Sequence, residues 1–211
     1  DWEKNNRKRN RVLGNSMDQI RCITKTSPEY PKKMKQYPSM PAKLYVKGRM
    51  PDPDKITVAV IGARMCSPYG RIQAFRYPKT NKKLYERILW ENGGIISECP
   101  LGSEPVSWHF PARNRIISAL SDAVLVVEAK ENSGSLITAG FALEQGKMVY
   151  AIPGAVTDTL SRGCHKLIYD GAGIAYCPEI ILEELGIGAE KALQTDEKNN
   201  LGLASDLNLV Y

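Results

Sequence analysis

The chain has 211 residues, 43% apolar and 25% charged, with a formal net charge of +6 and a pI near 9.0. That length suits one domain with small appendages and can bury a real core; the composition excludes a disordered chain, and a basic excess gathered on one face would favour phosphate-rich partners. Five widely spaced cysteines without a Cys-x-x-Cys pair, and two histidines, argue against a disulfide framework and a zinc site, so a reducing, cytoplasmic setting is expected; no apolar run is long enough to span a membrane, and the amino terminus lacks a signal-like apolar core.

Residues 1–28 read as a basic lead-in or the remnant of a small helical domain, with a short helix expected over Val12–Ile23. The stretch EYPKKMKQYPSMPAKLYVKG, with prolines at 31, 38 and 41 and an alternating Leu44-Tyr45-Val46 run, reads as an approach segment ending in an edge strand. ITVAVI, Ile56–Ile61, has the continuous β-branched pattern of a strand covered on both faces of a parallel sheet. The loop GARMCSPYG follows it, at the carboxyl edge where open α/β sheets bind ligands. Further strands are expected at Gly94–Ser97, Ala123–Glu128, Met148–Ile152 and, more weakly, Gly173–Tyr176. Helices are expected between them at Asn81–Asn92, Pro111–Leu120, Leu136–Gln145, Leu160–Asp170 and Pro178–Leu185. This alternation predicts a Rossmann-like, doubly wound α/β domain over 29–186, its mostly parallel sheet carrying helices on both faces.

One place resists that pattern. Only RIQAFRY separates Gly70 from Pro78, whereas a crossover to a second parallel strand needs a dozen or more residues. Either the next helix makes the crossover alone, or residues are missing near Phe75 and Arg76. Residues 187–211 read as a polar linker and tail, in which LGLASDLNLVY is a swapped strand, a tail or the remnant of a further module.

The chemistry concentrates in loops at the strand ends. Gly62, Arg64, Ser67 and Gly70 follow the first strand, and Ser133, Gly134 and Ser135 precede an apolar helix. The serines either cap that helix or leave its N–H groups to an anion, and the two roles are compatible. Pro111 fits a first helical turn, which puts Arg113 and Arg115 near the amino end of their helix, about 200° apart around its axis. One arginine can face a ligand while the other braces the site or pairs with a carboxylate such as Glu98 or Glu128; two structural ion pairs are the bland alternative. Phe110 is either core or a ring offered to a base. No Gly-x-Ser-x-Gly elbow, P-loop or Gly-x-Gly-x-x-Gly is present, so no catalytic residue, metal or cofactor is expected.

Seven ordered blocks, YPKKMKQYPSMPAKLYVKG, VAVIGARMCSPYG, YPKTNKKLYERI, GGIISECPLG, FPARNRIISALSDAVLVVEA, SGSLITAGFALEQGKMVYAIPG and LIYDGAG, resemble the bacterial DNA-processing DprA/Smf family from about Tyr30 to Leu185. The resemblance implies a non-enzymatic, homodimeric Rossmann-like protein that binds single-stranded DNA and loads the RecA recombinase in natural transformation and recombination. It implies a pocket using Arg64, Phe110, Arg113, Asn114 and Arg115, with Ser67, Ser133, Gly134 and Ser135 in the same region.

Three departures stand out. The family's stretch between the first-strand loop and YPKTN is longer and includes a Ser-Gly-x-Ala-x-Gly-Ile-Asp block absent here; Ser107 stands where many members have lysine; and His165 replaces the usual asparagine. The alternative reading is an enzyme of the nucleoside monophosphate phosphoribohydrolase type, of whose motif ENSGSLITAGFALE is a loose echo with Glu144 in a comparable place. A purely structural interaction protein is a third reading.

Overall fold

The computed structural model describes residues 19–63, 81–104, 109–187 and 207–210, with backbone alone for 81–85, 110 and 207–210. In chain order the described elements are β1 (Arg21–Thr24), α1 (Lys32–Lys35), β2 (Lys43–Gly48), β3 (Ile56–Ile61), α2 (Asn81–Trp90), β4 (Gly94–Ser97), α3 (His109–Leu120), β5 (Ala123–Val126), α4 (Gly134–Glu144), β6 (Met148–Ala151), α5 (Arg162–Tyr169), β7 (Gly173–Ile174), α6 (Pro178–Glu184) and β8 (Leu207–Val210). They divide into two units, the first containing 19–30, 41–51 and 81–104, the second 31–40, 52–63, 109–187 and 207–210. Among the described residues no helix is long and apolar enough to cross a membrane.

The first unit is built on an antiparallel sheet in the order β1-β2-β4. Ile23 faces Leu44 in the β1–β2 register, and Ile23, Leu44 and Val46 are buried, the alternation of strands with one face inward. Gly48 has φ +84°, and a Cβ there would lie 2.7 Å from Leu89 Cδ2 and run into the Gly93 carbonyl, so this corner admits only glycine.

Three expectations change here. Residues 21–23, expected to end a helix, lie in β1, because the Ile23–Leu44 pairing rewards a period of two. The strand around Leu44–Val46 is central rather than at an edge, having partners on both sides. Gly94–Ser97 pairs antiparallel with β2 instead of joining the parallel strands; a short apolar run carries no information about its partner.

The second unit holds a wholly parallel sheet in the order β7-β6-β5-β3-β8. Side-chain alternation divides its core. Val124, Val126, Val149 and Ala151 face Ile117 of α3, Ala139 and Ala142 of α4, and Cys164 and Leu167 of α5. Ala123, Leu125 and Tyr150 face Ile180 and Ile181 of α6 on the opposite side. Helices therefore cover both faces, the arrangement that apolar parallel strands require. Tyr150 reaches out of this layer to donate its hydroxyl proton to Glu184 Oε2 at 2.5 Å; burial, then that carboxylate, raises its pKa far above the usual phenol range. Residues 207–210 are not a free tail: β8 pairs with β3, Leu207 opposite Ile56 and Val210 opposite Ala59, which satisfies a strand edge that would otherwise lack partners.

The amino edge of this sheet is closed by residues 31–40. Lys33 Nζ donates to Asp122 Oδ2 at 2.5 Å and to the Lys55 carbonyl at 3.4 Å, while Asp122 Oδ2 also accepts from the Thr57 amide at 2.7 Å. Tyr37 donates its hydroxyl proton to the Gln145 carbonyl at 2.9 Å, and Lys147 Nζ lies 5.8 Å from the centroid of its ring. Burial, reinforced by Lys33 and opposed by Asp122, holds the Lys147 ammonium below its ordinary pKa.

Candidate nucleic-acid interface

β3, β5 and β6 end level with one another, since Ile61 is in register with Val126 and Val126 with Ala151. Backbone hydrogen bonds continue past the strand ends: Val127 N donates to the Ile61 carbonyl at 2.9 Å, Ala63 N to Glu128 at 2.9 Å and Ile152 N to Val126 at 3.0 Å. The loops beginning at Gly62, Val127 and Ile152 therefore share one carboxyl edge, with Glu128 buried in it. Ala129 is gripped on both backbone groups, its N–H donating to the Leu160 carbonyl at 2.7 Å and its carbonyl accepting from Gly163 N at 2.8 Å.

Ser133 is the N-cap of α4. Its Oγ accepts from Ser135 N at 3.2 Å and lies 3.2 Å from Ser135 Oγ, while its carbonyl accepts from Leu136 N at 3.0 Å. Capping and anion binding draw on the same donors, and here capping takes those of Ser135 and Leu136. The Gly134 N–H has no acceptor among the described residues, and a Cβ on Gly134 would meet nothing within 4 Å, so the backbone is open to close approach. Neither α3 nor α4 carries an acidic residue in its first turn to offset the partial positive charge of its amino end.

On α3, Arg113 is exposed, Asn114 is buried and Arg115 is half-buried, as rotation by about 100° per residue requires. Asn114 Nδ2 donates to the Gly134 carbonyl at 3.3 Å, and its Oδ1 accepts from Arg113 Nη2 at 3.5 Å. A relay thus runs from an exposed guanidinium through a buried amide to the first turn of α4. Arg115 is held differently: its carbonyl accepts from Gln145 Nε2 at 3.3 Å and Ser118 Oγ at 3.1 Å, and its Nη1 is buried.

Of the residues singled out by sequence, the structure brings together Arg113, Asn114, Ser133, Gly134 and Ser135, and secures the Arg115 backbone to the C-cap of the same α4 helix. Arg64, Ser67 and the side chain of Phe110 lie outside what the structure describes. Sequence reasoning did not find the Gln145 contact or the grip on Ala129. Glutamine has no distinctive spacing, and the second feature depends on Gly163, where a Cβ would fall 2.7 Å from the Ala129 oxygen and 2.6 Å from that of Lys130.

The phosphoribohydrolase echo and the buried cysteine offer no catalytic geometry. Glu144 closes α4, so about 15 Å of helix separates it from the serine-rich end. Cys164 is fully buried with Sγ 3.7 Å from the Val126 and Val127 carbonyls, and burial pushes its pKa up to about 11, which keeps the thiol protonated.

The family model for DNA recombination-mediator protein A matches residues 21–76 and 72–186. The DNA processing protein DprA of Streptococcus pneumoniae is 45% identical over 128 residues, covering 61% of this chain and 42% of that protein. The protein Smf of Escherichia coli is 48% identical over 112 residues, covering 53% and 30% respectively. The chain thus spans less than half the length of either relative. The crystal structure of S. pneumoniae DprA superposes with a TM-score of 0.69 at 31% identity, covering 83% of this chain and 77% of that one. A solved structure of Helicobacter pylori DNA processing protein A, described for its single-stranded DNA binding mode, gives 0.68 at 24% identity, covering 82% and 98%, a likeness of fold.

Proposed function

We propose, from the premise that this chain belongs to the DNA recombination-mediator protein A family, that it acts in DNA processing by binding single-stranded DNA without sequence preference along the carboxyl edge of its parallel sheet. The observation that carries this reading is the Arg113–Asn114–Gly134 relay, which sets an exposed cation beside an open helix amino end. A phosphate oxygen can accept from the Gly134 N–H while its charge faces Arg113. Arg64 is assigned as a second phosphate contact, Phe110 as a stacking surface, Arg115 as the brace that holds α3 in place, and Ser67, Ser133 and Ser135 as the polar lining. Such a site reads backbone and ring faces rather than base edges, so it tolerates any sequence.

Two finer assignments follow from family membership: loading of RecA recombinase onto the bound strand, and a homodimer. For the dimer, β7 is the outermost strand on its side of the parallel sheet among the described residues, and Tyr169, Ile174 and Tyr176 near it are exposed, a concentration of apolar area that suits self-association.

The deciding experiment is a fluorescence-polarisation titration of labelled oligo-dT at two salt concentrations, with duplex as competitor and Arg113→Glu and Arg64→Glu variants in parallel. Salt-sensitive binding that prefers the single strand and collapses in the variants supports the reading; absent binding, or binding unchanged by both reversals, overturns it.

A further inference from the structure

His165 stands in the first turn of α5, and its Nε2 lies 3.0 Å from the carbonyl of Gly154 in the loop after β6. A carbonyl only accepts, so the ring nitrogen facing it carries the proton. Gly154 is also packed close against Ser161: a Cβ there would collide with Ser161 Oγ, and Ser161 is buried. The loop is closed beyond this point by Asp158, whose Oδ1 accepts from Leu160 N at 2.9 Å and whose carbonyl accepts from Ser161 N at 3.1 Å. Leu160 and Gly163, on either side of the Ser161–Arg162 pair, hold Ala129 through the Leu160 carbonyl and the Gly163 amide. From Ala129 one hydrogen-bonded turn, Ser133 N to the Lys130 carbonyl at 3.1 Å, leads to the cap of α4.

We infer that His165 is a positioning residue: by pinning Gly154 it fixes the 154–163 segment, and through Ala129 it sets where Ser133 and Gly134 present their backbone to the nucleic acid. This rests on the proposed function for its ligand, but the bracing itself does not. Asparagine places its amide nitrogen nearer the backbone than imidazole Nε2, so the side chain that keeps this reach is glutamine.

The test compares wild type, His165→Gln and His165→Leu as full chains. Long-range proton–nitrogen spectra are expected to show a protonated Nε2 in the wild type. Amide exchange in residues 154–163 and at Ala129 is expected to rise about fivefold or more in His165→Leu and to stay near wild type in His165→Gln. Oligo-dT affinity is expected to fall about three- to tenfold in the leucine variant and to be rescued by glutamine. An unprotonated Nε2, unchanged exchange in His165→Leu, or raised exchange with unaltered affinity overturns the inference while leaving the DNA reading intact. If the wild type itself fails to bind oligo-dT, the DNA reading falls, and the exchange data alone decide the bracing role.

Discussion

Asn114 Nδ2 donates to the Gly134 carbonyl at 3.3 Å, so the residue between the two arginines of α3 ties that helix to the first turn of α4. Asn114→Ala removes a buried donor and is expected to destabilise the protein by about 1–3 kcal/mol in urea melts. It also frees Arg113 from its rest position, so oligo-dT affinity falls with it. Asn114→Asp sets a carboxylate against the carbonyl and is expected to lose more of both.

Arg113 behaves oppositely because it is exposed. Arg113→Gln is expected to change stability by no more than about 0.5 kcal/mol. The slope of log affinity against log salt should become shallower by about one unit. Anisotropy titrations over a range of salt concentrations check both, set beside melts of the same samples.

Ser133→Ala removes the cap but leaves the backbone donors. About 1 kcal/mol of stability is expected to go, without a matching loss of DNA affinity, because Ser135 N regains a free hydrogen. A fall in affinity far exceeding the change in stability would place the hydroxyl itself on the ligand.

At the amino edge, Asp122 serves both Lys33 and the Thr57 amide. Asp122→Ala is expected to cost about 1–3 kcal/mol, because it removes the acceptor shared by Lys33 Nζ and the Thr57 amide. A double-mutant cycle across the pair is expected to show coupling, whereas exact additivity would make the contact incidental.

Cys164 makes stability depend on alkaline pH. Its folded pKa, near 11, lies above the ordinary thiol value of 9.0, so the unfolded chain releases this proton first as pH rises. Its contribution is complete below pH 9 and is lost between about 9 and 11. Chemical melts through that window are expected to show wild type losing about 1–2 kcal/mol more than Cys164→Ala, which has no such proton. Comparing the two chains cancels the contributions of Tyr150, whose pKa is raised, and Lys147, whose pKa is lowered. Parallel curves would contradict this assignment.

The parallel sheet was legible because β-branched runs such as ITVAVI recur between helical segments, and the extents of β3, β5 and β6 follow those runs closely. The antiparallel sheet was not. Its strands are joined across long sequence separations, and nothing in GIIS tells whether its neighbour runs with it or against it. In the candidate site, the FPARNR and SGS blocks contain residues that α3 and α4 bring together, but the bond from Asn114 to the Gly134 carbonyl depended on how α3 meets α4, a packing outcome with no local signature. His165 had a clear mark in sequence, yet its meaning lay in Gly154, eleven positions away on another element.

The chain alternates repeatedly between its two units, so neither is a continuous piece of polypeptide. A deletion that removes the antiparallel unit also severs the segment carrying Lys33 and Tyr37 from its covalent neighbours on both sides. Dissecting the molecule therefore calls for circularly permuted or re-joined chains, and no simple truncation from either terminus removes one body whole without cutting into the other.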